Sequence, residues 1–401
     1  MPFQHTIQEN RVRISLLFNA NKTYDRQVIE GIGEYFQVSQ CNWDIYIEED
    51  FSVHAFDQDM LSSRGIIADF DDGELARHLS RLPIPVVGVG GSYHNPADYP
   101  SVHYVATDNE ALVSSALDHL VGKGLSRFAF YGLPDTAGKN WARERLSAFR
   151  RLTDGRGYTA FTYEGLVTQS GVWDTAQRNL AEWLMSLPVN TGIIAVTDAR
   201  ARHILQVCEQ INIAVPENLC VVGIDDEVLT RCLSRISLSS VVQGARKMGY
   251  EAARLLDRLL WRQDVPASPI IIPPEGVIGR RSTDYRSLID PMVIRAMHFI
   301  RGNACKGIKV EHVLGVLGVS RSNIEQKFIA ETGMTLHKAI QEERLGKAMD
   351  LLATTSIPIT EISRLCSYNT PQYFYAIFRR KTGVTPLKYR IDRLYGNHGM
   401  Q

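Results

Sequence analysis

The chain has 401 residues, of which 44% are apolar, and equal numbers of basic and acidic side chains, 44 each. That length exceeds one ordinary core and predicts two or three domains, and the apolar share excludes a disordered polymer. No apolar run approaches the roughly 18 residues that span a bilayer, and the opening MPFQHTIQENRVR has no apolar signal core, so no membrane is expected and a cytoplasmic location is. The six cysteines (Cys41, Cys208, Cys220, Cys232, Cys305, Cys366) are scattered with no CxxC and no histidine at metal spacing. They read as reduced thiols, with neither metal nor cofactor. The zero net charge hides an asymmetry: residues 286–401 carry 17 Lys and Arg against 9 Asp and Glu, while residues 1–285 carry 27 against 35. A basic tail behind an acidic body suggests one module for a polyanion and another for something else.

In chain order, short apolar runs predict strands at 13–18, 43–48, 65–69, 85–89, 104–107, 127–131, 159–163, 192–197, 220–223 and 269–272. Amphipathic stretches predict helices at 25–36, 110–121, 143–152, 173–185 and 199–210. Strands rich in Val and Ile alternating with helices mean an α/β fold of parallel sheets covered on both faces. The pattern appears twice, before and after about residue 108, which predicts two similar lobes. Polar residues crowd the carboxyl ends of the strands, where parallel sheets place ligands: Asn19 to Arg26 with Tyr24 among them, Asp69-Phe70-Asp71-Asp72, Gly90-Gly91-Ser92-Tyr93-His94, Thr197-Asp198 and Asp225-Asp226. An Asp after a strand is often only the cap of the next helix. Five such ends in one half-chain point instead to a ligand rich in hydroxyls, bound by carboxylates and amides beside aromatic rings.

Near residue 285 the strand signals stop and the chain becomes helical. The boundary is expected between residues 278 and 290, giving a sensor domain over 1–284 and a tail domain over 285–401. Asp290-Pro291 reads as N-cap and first helical residue. The tail repeats one plan. In the first copy, about 306–328, a short helix ends at Gly318, Ser320 caps the next, and Ile324 and Phe328 face inward. In the second, about 358–381, Ile359, Ile362 and Leu365 lie on one helix and Phe374 and Phe378 on the other. A turn glycine followed by a capped second helix is the helix-turn-helix plan, here in an all-α domain. By helical position, Arg321, Ser322, Glu325 and Gln326 would face one major-groove segment, and Thr370, Pro371, Gln372 and Tyr375 a second. Lys327, Arg379, Arg380 and Lys381 suit phosphates.

The segments YDRQVIEGIGEY, TDNEALVSSALDHLVGKGLSRFAFYG, WARERLSAF, IIAVTDARARHIL, VVGIDD and LSSVVQGARKMGYEAARLL make residues 11–285 similar to the periplasmic-binding-protein-like effector core of the lactose-repressor and galactose-repressor family. That resemblance implies ligand contacts from Arg145, at the Arg position of R-x-x-G-F, and from Asp225, the first Asp after VVG. Ala148 departs from the usual Gly of that element. Asp69, Ser92, Asp108, Asp198 and Gln243 follow as lining or hinge residues. Residues 290–390 resemble the arabinose-regulator family of DNA-binding domains: Phe378, Gly383, Pro386, Tyr389 and Arg390 fill its closing F-x4-G-x2-P-x2-Y-R, and Phe328 and Gly333 repeat the opening part. Both halves in one chain imply a sugar-responsive activator with D-xylose or a similar monosaccharide as effector. They further imply a homodimer on tandem or inverted double-stranded DNA operator half-sites, acting through RNA polymerase. The residues alone reach only a small polyol or sugar.

An enzyme reading finds no GxSxG, no GxxxxGK[ST], no HExxH and no GxGxxG after a strand. Gly88-Val89-Gly90-Gly91 has the wrong spacing for a phosphate loop. A sugar-transport binding protein would share the sensor fold but have no use for the tail.

Overall fold

The structure, a computed structural model, describes residues 11–47, 62–284, 288 and 290–394. Glu48, Tyr285 and Arg286, which the sequence places at a strand end and at the domain boundary, lie outside the described residues, as do residues 1–10 of the N-terminal stretch.

Two six-stranded sheets form the sensor half. The first contains β1 (Val12–Leu17), β2 (Trp43–Ile47), β3 (Gly65–Asp69), β4 (Val86–Gly91), β5 (His103–Thr107) and, late in the chain, β11 (Ile270–Ile272). The second contains β6 (Arg127–Tyr131), β7 (Thr159–Tyr163), β8 (Thr191–Ala195), β9 (Leu219–Ile224), β10 (Ser239–Val242) and β12 (Gly276–Ile278). Their orders are β11-β5-β4-β3-β1-β2 and β12-β10-β9-β8-β6-β7, all parallel except the β10–β12 pair. In each sheet the order reverses beside an inner strand, β1 in the first and β6 in the second. The crevice above such a reversal is where parallel sheets bind ligands.

The lobes are similar, as expected, but they do not divide the chain at residue 108. The chain crosses between them after β5, returns after β10 so that helix Ala245–Leu260 packs on helix Thr23–Ser39 of the first lobe, and crosses again between β11 and β12. Periodicity records which elements form, not which sheet recruits them. The return packs closely. A Cβ on Gly31 would sit 1.8 Å from the Arg246 carbonyl oxygen, and one on Gly249 would sit 1.9 Å from that of Val28. Only glycine allows the two helices this separation, and their contact holds the N-terminal end of helix Thr23–Ser39 at the crevice.

The tail is helical, as expected. Asp290 caps helix Pro291–Asn303 by accepting from Met292 N–H at 2.8 Å, with Pro291 at the first turn. The long helix Leu336–Thr354 serves two cores. Its first half joins the cluster of Val293, Ile300, Val313, Ile324 and Phe328, and its second half joins Ile362, Cys366, Phe374 and Phe378. The two helix-turn-helix units are helices Val310–Leu317 with Arg321–Thr332, and Ile359–Leu365 with Pro371–Thr382. Ser320 holds the N-cap position, but its hydroxyl pairs with that of Ser322 at 3.2 Å instead of capping the helix.

Candidate functional site

Between the lobes lies a cavity of about 380 Å³ lined from both sides. The first lobe supplies Asn21, Lys22, Thr23, Tyr24, Asp25, Asp69, Asp71 and Thr107; the second supplies Lys139, Trp141, Arg145, Thr197, Ala199, Asp225 and Glu227; Gln243 comes from the hinge. At its entrance Thr23 Oγ1 donates across the lobes to Glu227 Oε1 at 3.2 Å.

Arg145 is the centre of the floor. It is 3% exposed and uses three of its five N–H donors: Nε on Asn109 Oδ1 at 3.0 Å, Nη1 on the Val196 carbonyl at 2.7 Å and Nη2 on Gln243 Oε1 at 3.1 Å. Gln243 Nε2 in turn donates to Asp225 Oδ1. The Trp141 ring lies 4.8 Å from the guanidinium carbon. Asp225 has φ 125 and Asp226 φ 51, backbone that a non-glycine residue holds only when its surroundings impose it. Opposite, Lys22 Nζ bonds Asp69 Oδ2 at 2.9 Å, Asp69 Oδ1 accepts from Asp71 N–H, and Asp71 Oδ1 accepts from Gly91 N–H, each at 2.9 Å. Asp25 Oδ1 and Thr107 Oγ1 are buried on this lining with no partner in the described chain. Orphans of that kind cost about 1–3 kcal/mol each, which a ligand hydroxyl would recover.

Tyr24, Asp69, Arg145, Asp225 and Gln243 therefore stand together. Ser92, Asp108 and Asp198 do not line the cavity. Ser92 Oγ accepts from Asn109 N–H at 2.9 Å and so supports the hinge; Asp108 caps helix Asn109–Val121 through Ala111 N–H at 2.9 Å. Asp198 is consumed by Ser240 Oγ at 2.6 Å and Glu227 N–H at 2.8 Å, bracing the loop that carries Asp225. In Asp69-Phe70-Asp71-Asp72 only Asp72 is a helix cap. The sequence reading did not single out Lys22, Asp25, Asp71, Thr107, Lys139, Trp141, Thr197 and Glu227 as lining. Most lie within segments it flagged as polar or family-like, but periodicity cannot say which side chain of a loop turns inward.

Burial raises the Asp25 and Asp71 carboxyls to about 7, with Asp69 adding repulsion; burial lifts Asp225 to about 6 while Arg145 opposes it. A carboxyl held above its ordinary 3.8 stabilises the fold fully below that value, and the contribution is lost as pH rises through the folded value. Asp71→Asn keeps an oxygen for Gly91 and removes the charge. Its melting temperature is expected to exceed the parent's more at about pH 8.5 than at about pH 5.5. Melting curves at both pH values measure this, and a pH-independent offset would mean that Asp71 does not titrate in the window.

On the tail, Arg321, Ser322, Gln326 and Lys327 are exposed on the first recognition-position helix, with Glu325 half-buried and paired to Arg321 at 3.1 Å. On the second, Thr370, Gln372, Tyr375, Arg379, Arg380 and Lys381 are exposed and Pro371 is half-buried. Thr370 also caps its helix through Tyr373 N–H at 3.2 Å. Lys327 pairs with Asp290 at 2.7 Å and Lys381 with Glu342, so Arg379 and Arg380 are the more available cations. Phe328, Phe374 and Phe378 are fully buried, as core residues should be. Gly318, Gly333 and Gly383 end their helices at φ 68, 70 and 79, in the left-handed region that favours glycine.

Among known families, the XylR N-terminal domain matches residues 13–110, the periplasmic binding protein-like domain residues 117–283, and a helix-turn-helix domain residues 314–391. The chain is 58% identical over 380 residues to the xylose operon regulatory protein of Escherichia coli (strain K12), covering 95% of this chain and 97% of that one. It is 53% identical to the protein of the same description from Haemophilus influenzae, covering 96% and 99%. A solved structure of the xylose-binding transcription activator XylR superposes with a TM-score of 0.87 at 57% identity, over 95% of this chain and 98% of that one. With two lobes, a polar crevice and a doubled helix-turn-helix in the same order and nearly the same length, the chain belongs to the xylose operon regulatory protein family.

Proposed function

We propose that this chain is a transcription activator that binds D-xylose between its lobes and double-stranded DNA through its tail. The observation that carries the reading is the cavity itself. Its volume of about 380 Å³ lies at the small end of ligand sites, roughly 300–1,000 Å³, and suits one monosaccharide. Acceptors stand on both walls, and the aromatic residues Trp141 and Tyr24 are among the lining, as a sugar ring with its C–H surface calls for. Within it Asp225, Arg145, Asp69, Tyr24 and Gln243 bond the sugar, joined by Asp71, Lys22 and Asp25. Residues 1–284 form the sensor and 285–401 the DNA-binding domain; the protein works in the cytoplasm as a homodimer on paired half-sites and contacts RNA polymerase. Calorimetry with D-xylose tests the sugar, and chromatography of the recovered ligand separates a binder from an enzyme. One site per chain with D-xylose returned unchanged is expected; no heat with D-xylose, or a converted product, would overturn the reading.

The DNA contacts make a separate prediction. With about six phosphates engaged, log affinity is expected to fall with log salt at a slope of about −5. Gln372→Ala should relax sequence preference at one position, by about 1–3 kcal/mol of lost discrimination, whereas Arg380→Ala should weaken operator and random DNA alike. Competition binding against single-base operator variants reads both, and equal loss of preference in the two variants would reject the assignment.

A further inference from the structure

The tail contains a pair of thiols that neither the sugar site nor the DNA face uses. Cys305 lies in the 3-10 turn Ala304–Lys306, ahead of the first helix-turn-helix; Cys366 ends helix Ile359–Leu365 in the second. The fold brings them together across 61 residues of chain. Cys366 is fully buried, and Cys305 packs against the cluster that Cys366 helps to form. Their surroundings are fixed. Ser367 Oγ donates to the Cys305 carbonyl at 2.7 Å, and Arg344 clasps the turn through the carbonyls of Ala304 and Ile308, both at 2.9 Å. Cys305 also lines a cleft of about 630 Å³ between tail and sensor, shared with Arg281, Arg301, Lys306, Glu343 and Lys347. A small oxidant can reach Cys305 by that route, whereas Cys366 is fully buried.

We propose that Cys305 and Cys366 are a reversible oxidation site for small hydroperoxides, with Cys305 attacking and Cys366 resolving. A hydrogen bond with Cys366, aided by the positive charges of Arg281, Lys347 and Arg344 against the cost of burial, lowers the Cys305 thiol to about 7, whereas the same bond and burial raise Cys366. The Cys305 thiolate attacks one peroxide oxygen and the O–O bond breaks. The leaving oxygen takes up a proton as water (from hydrogen peroxide), and Cys305 becomes a sulfenic acid. The Cys366 sulfur then attacks the Cys305 sulfur; the S–S bond forms, and the hydroxyl leaves with the Cys366 proton as a second water. Two electrons pass from the two sulfurs to the peroxide. The crosslink ties the segment ahead of the first helix-turn-helix to the second, next to the joint with the sensor.

The test uses the full chain with hydrogen peroxide, followed by alkylation, intact mass and peptide mapping. The expected product has lost two hydrogens, contains a linked Cys305–Cys366 peptide and returns to the thiol form with dithiothreitol. It should form about tenfold more slowly at pH 6 than at pH 8, following the thiolate fraction. In Cys366→Ala the Cys305 sulfenic acid should persist and be trapped by dimedone. In Cys305→Ser, a half-buried site with little cost to folding, Cys366 should resist peroxide. Recovery of both peptides reduced after the exposed Cys232 has reacted would overturn the proposal. So would a Cys305 sulfinic acid beside a free Cys366, or oxidation of Cys366 in Cys305→Ser.

Discussion

Asp225→Ala is expected to weaken D-xylose binding by at least about a hundredfold while leaving DNA affinity in the absence of sugar within about threefold. The carboxylate is half-buried, Gln243 donates to one oxygen, and Arg145 stands beside it with three of its five N–H donors used by the protein. A hydrogen bond to a charged group contributes about 1.5–3 kcal/mol, and two sugar hydroxyls on one carboxylate would together contribute about 3 kcal/mol or more, which is a hundredfold or more in Kd. The substitution also frees Gln243 Nε2 and removes the negative charge nearest Arg145, so the floor of the site loses both its acceptor and its alignment. Asp198→Ala forms the contrast. It touches Ser240 and the Glu227 backbone, not the cavity, and should act only through the placement of the 225–227 loop. Calorimetry of both variants, with circular dichroism to confirm folding, separates them. An unchanged Kd in Asp225→Ala would remove that residue from the site.

Elements were legible where one physical signal dominated. Strands such as Gly65–Asp69 and Arg127–Tyr131 match their predicted bounds because an apolar run between turn residues has one reading at that length. Asp290-Pro291 located a helix start to the residue because cap and ring chemistry act locally. Strands Ser239–Val242 and Gly276–Ile278 were missed: short, rich in serine or glycine, they become strands through pairing with β9 and with each other, a tertiary cause that no local pattern carries. The same holds for the site. Arg145 and Asp225 were flagged by likeness to family motifs, whereas Asp71 and Trp141 share one cavity only because the lobes face each other. Asp198 shows the converse, a carboxylate in the right sequence position whose hydrogen bonds turn it away.

The connector between sensor and tail also differs from a simple tether. Residues 280–283 are built into the second lobe: Ser282 Oγ donates to the Val221 carbonyl at 2.5 Å, Thr283 Oγ1 meets His119 Nε2 at 2.7 Å, and Arg280 bonds Asp226 at 2.6 Å, one residue from Asp225. A flexible insertion after Ser282 would therefore damage the lobe, and the proper place for one is after Asp284. The tail is moreover gripped directly. Arg301 of helix Pro291–Asn303 lies 2.8 Å from Glu217 and 3.6 Å from Glu343, and Arg281 pairs with Glu343. Glu217 precedes β9 and Asp225 follows it, so one rigid strand carries a proposed sugar ligand at one end and a tail contact at the other. If sugar binding shifts Asp225, this strand offers a direct path to Arg301, which substitution at Arg301 tests.

Arg301→Met is accordingly expected to uncouple the two ligands. In the parent, a paired operator should tighten D-xylose binding by about 5–150-fold, the range for coupling of about 1–3 kcal/mol, and sugar should tighten operator binding by the same factor. In the variant both factors should fall to near 1, with each ligand bound alone within about threefold of the parent. Because Glu217 is 2% exposed, removing its partner leaves a buried charge, at a cost of about 3–5 kcal/mol. The double variant with Glu217→Gln relieves that cost. It should recover the melting temperature but not the coupling, which distinguishes a broken relay from a damaged fold. Sugar affinity measured with paired operator, with a single half-site and without DNA completes the test. Full coupling in the double variant would place the relay elsewhere, with the Asp226–Arg280–Arg281–Glu343 path the next to break.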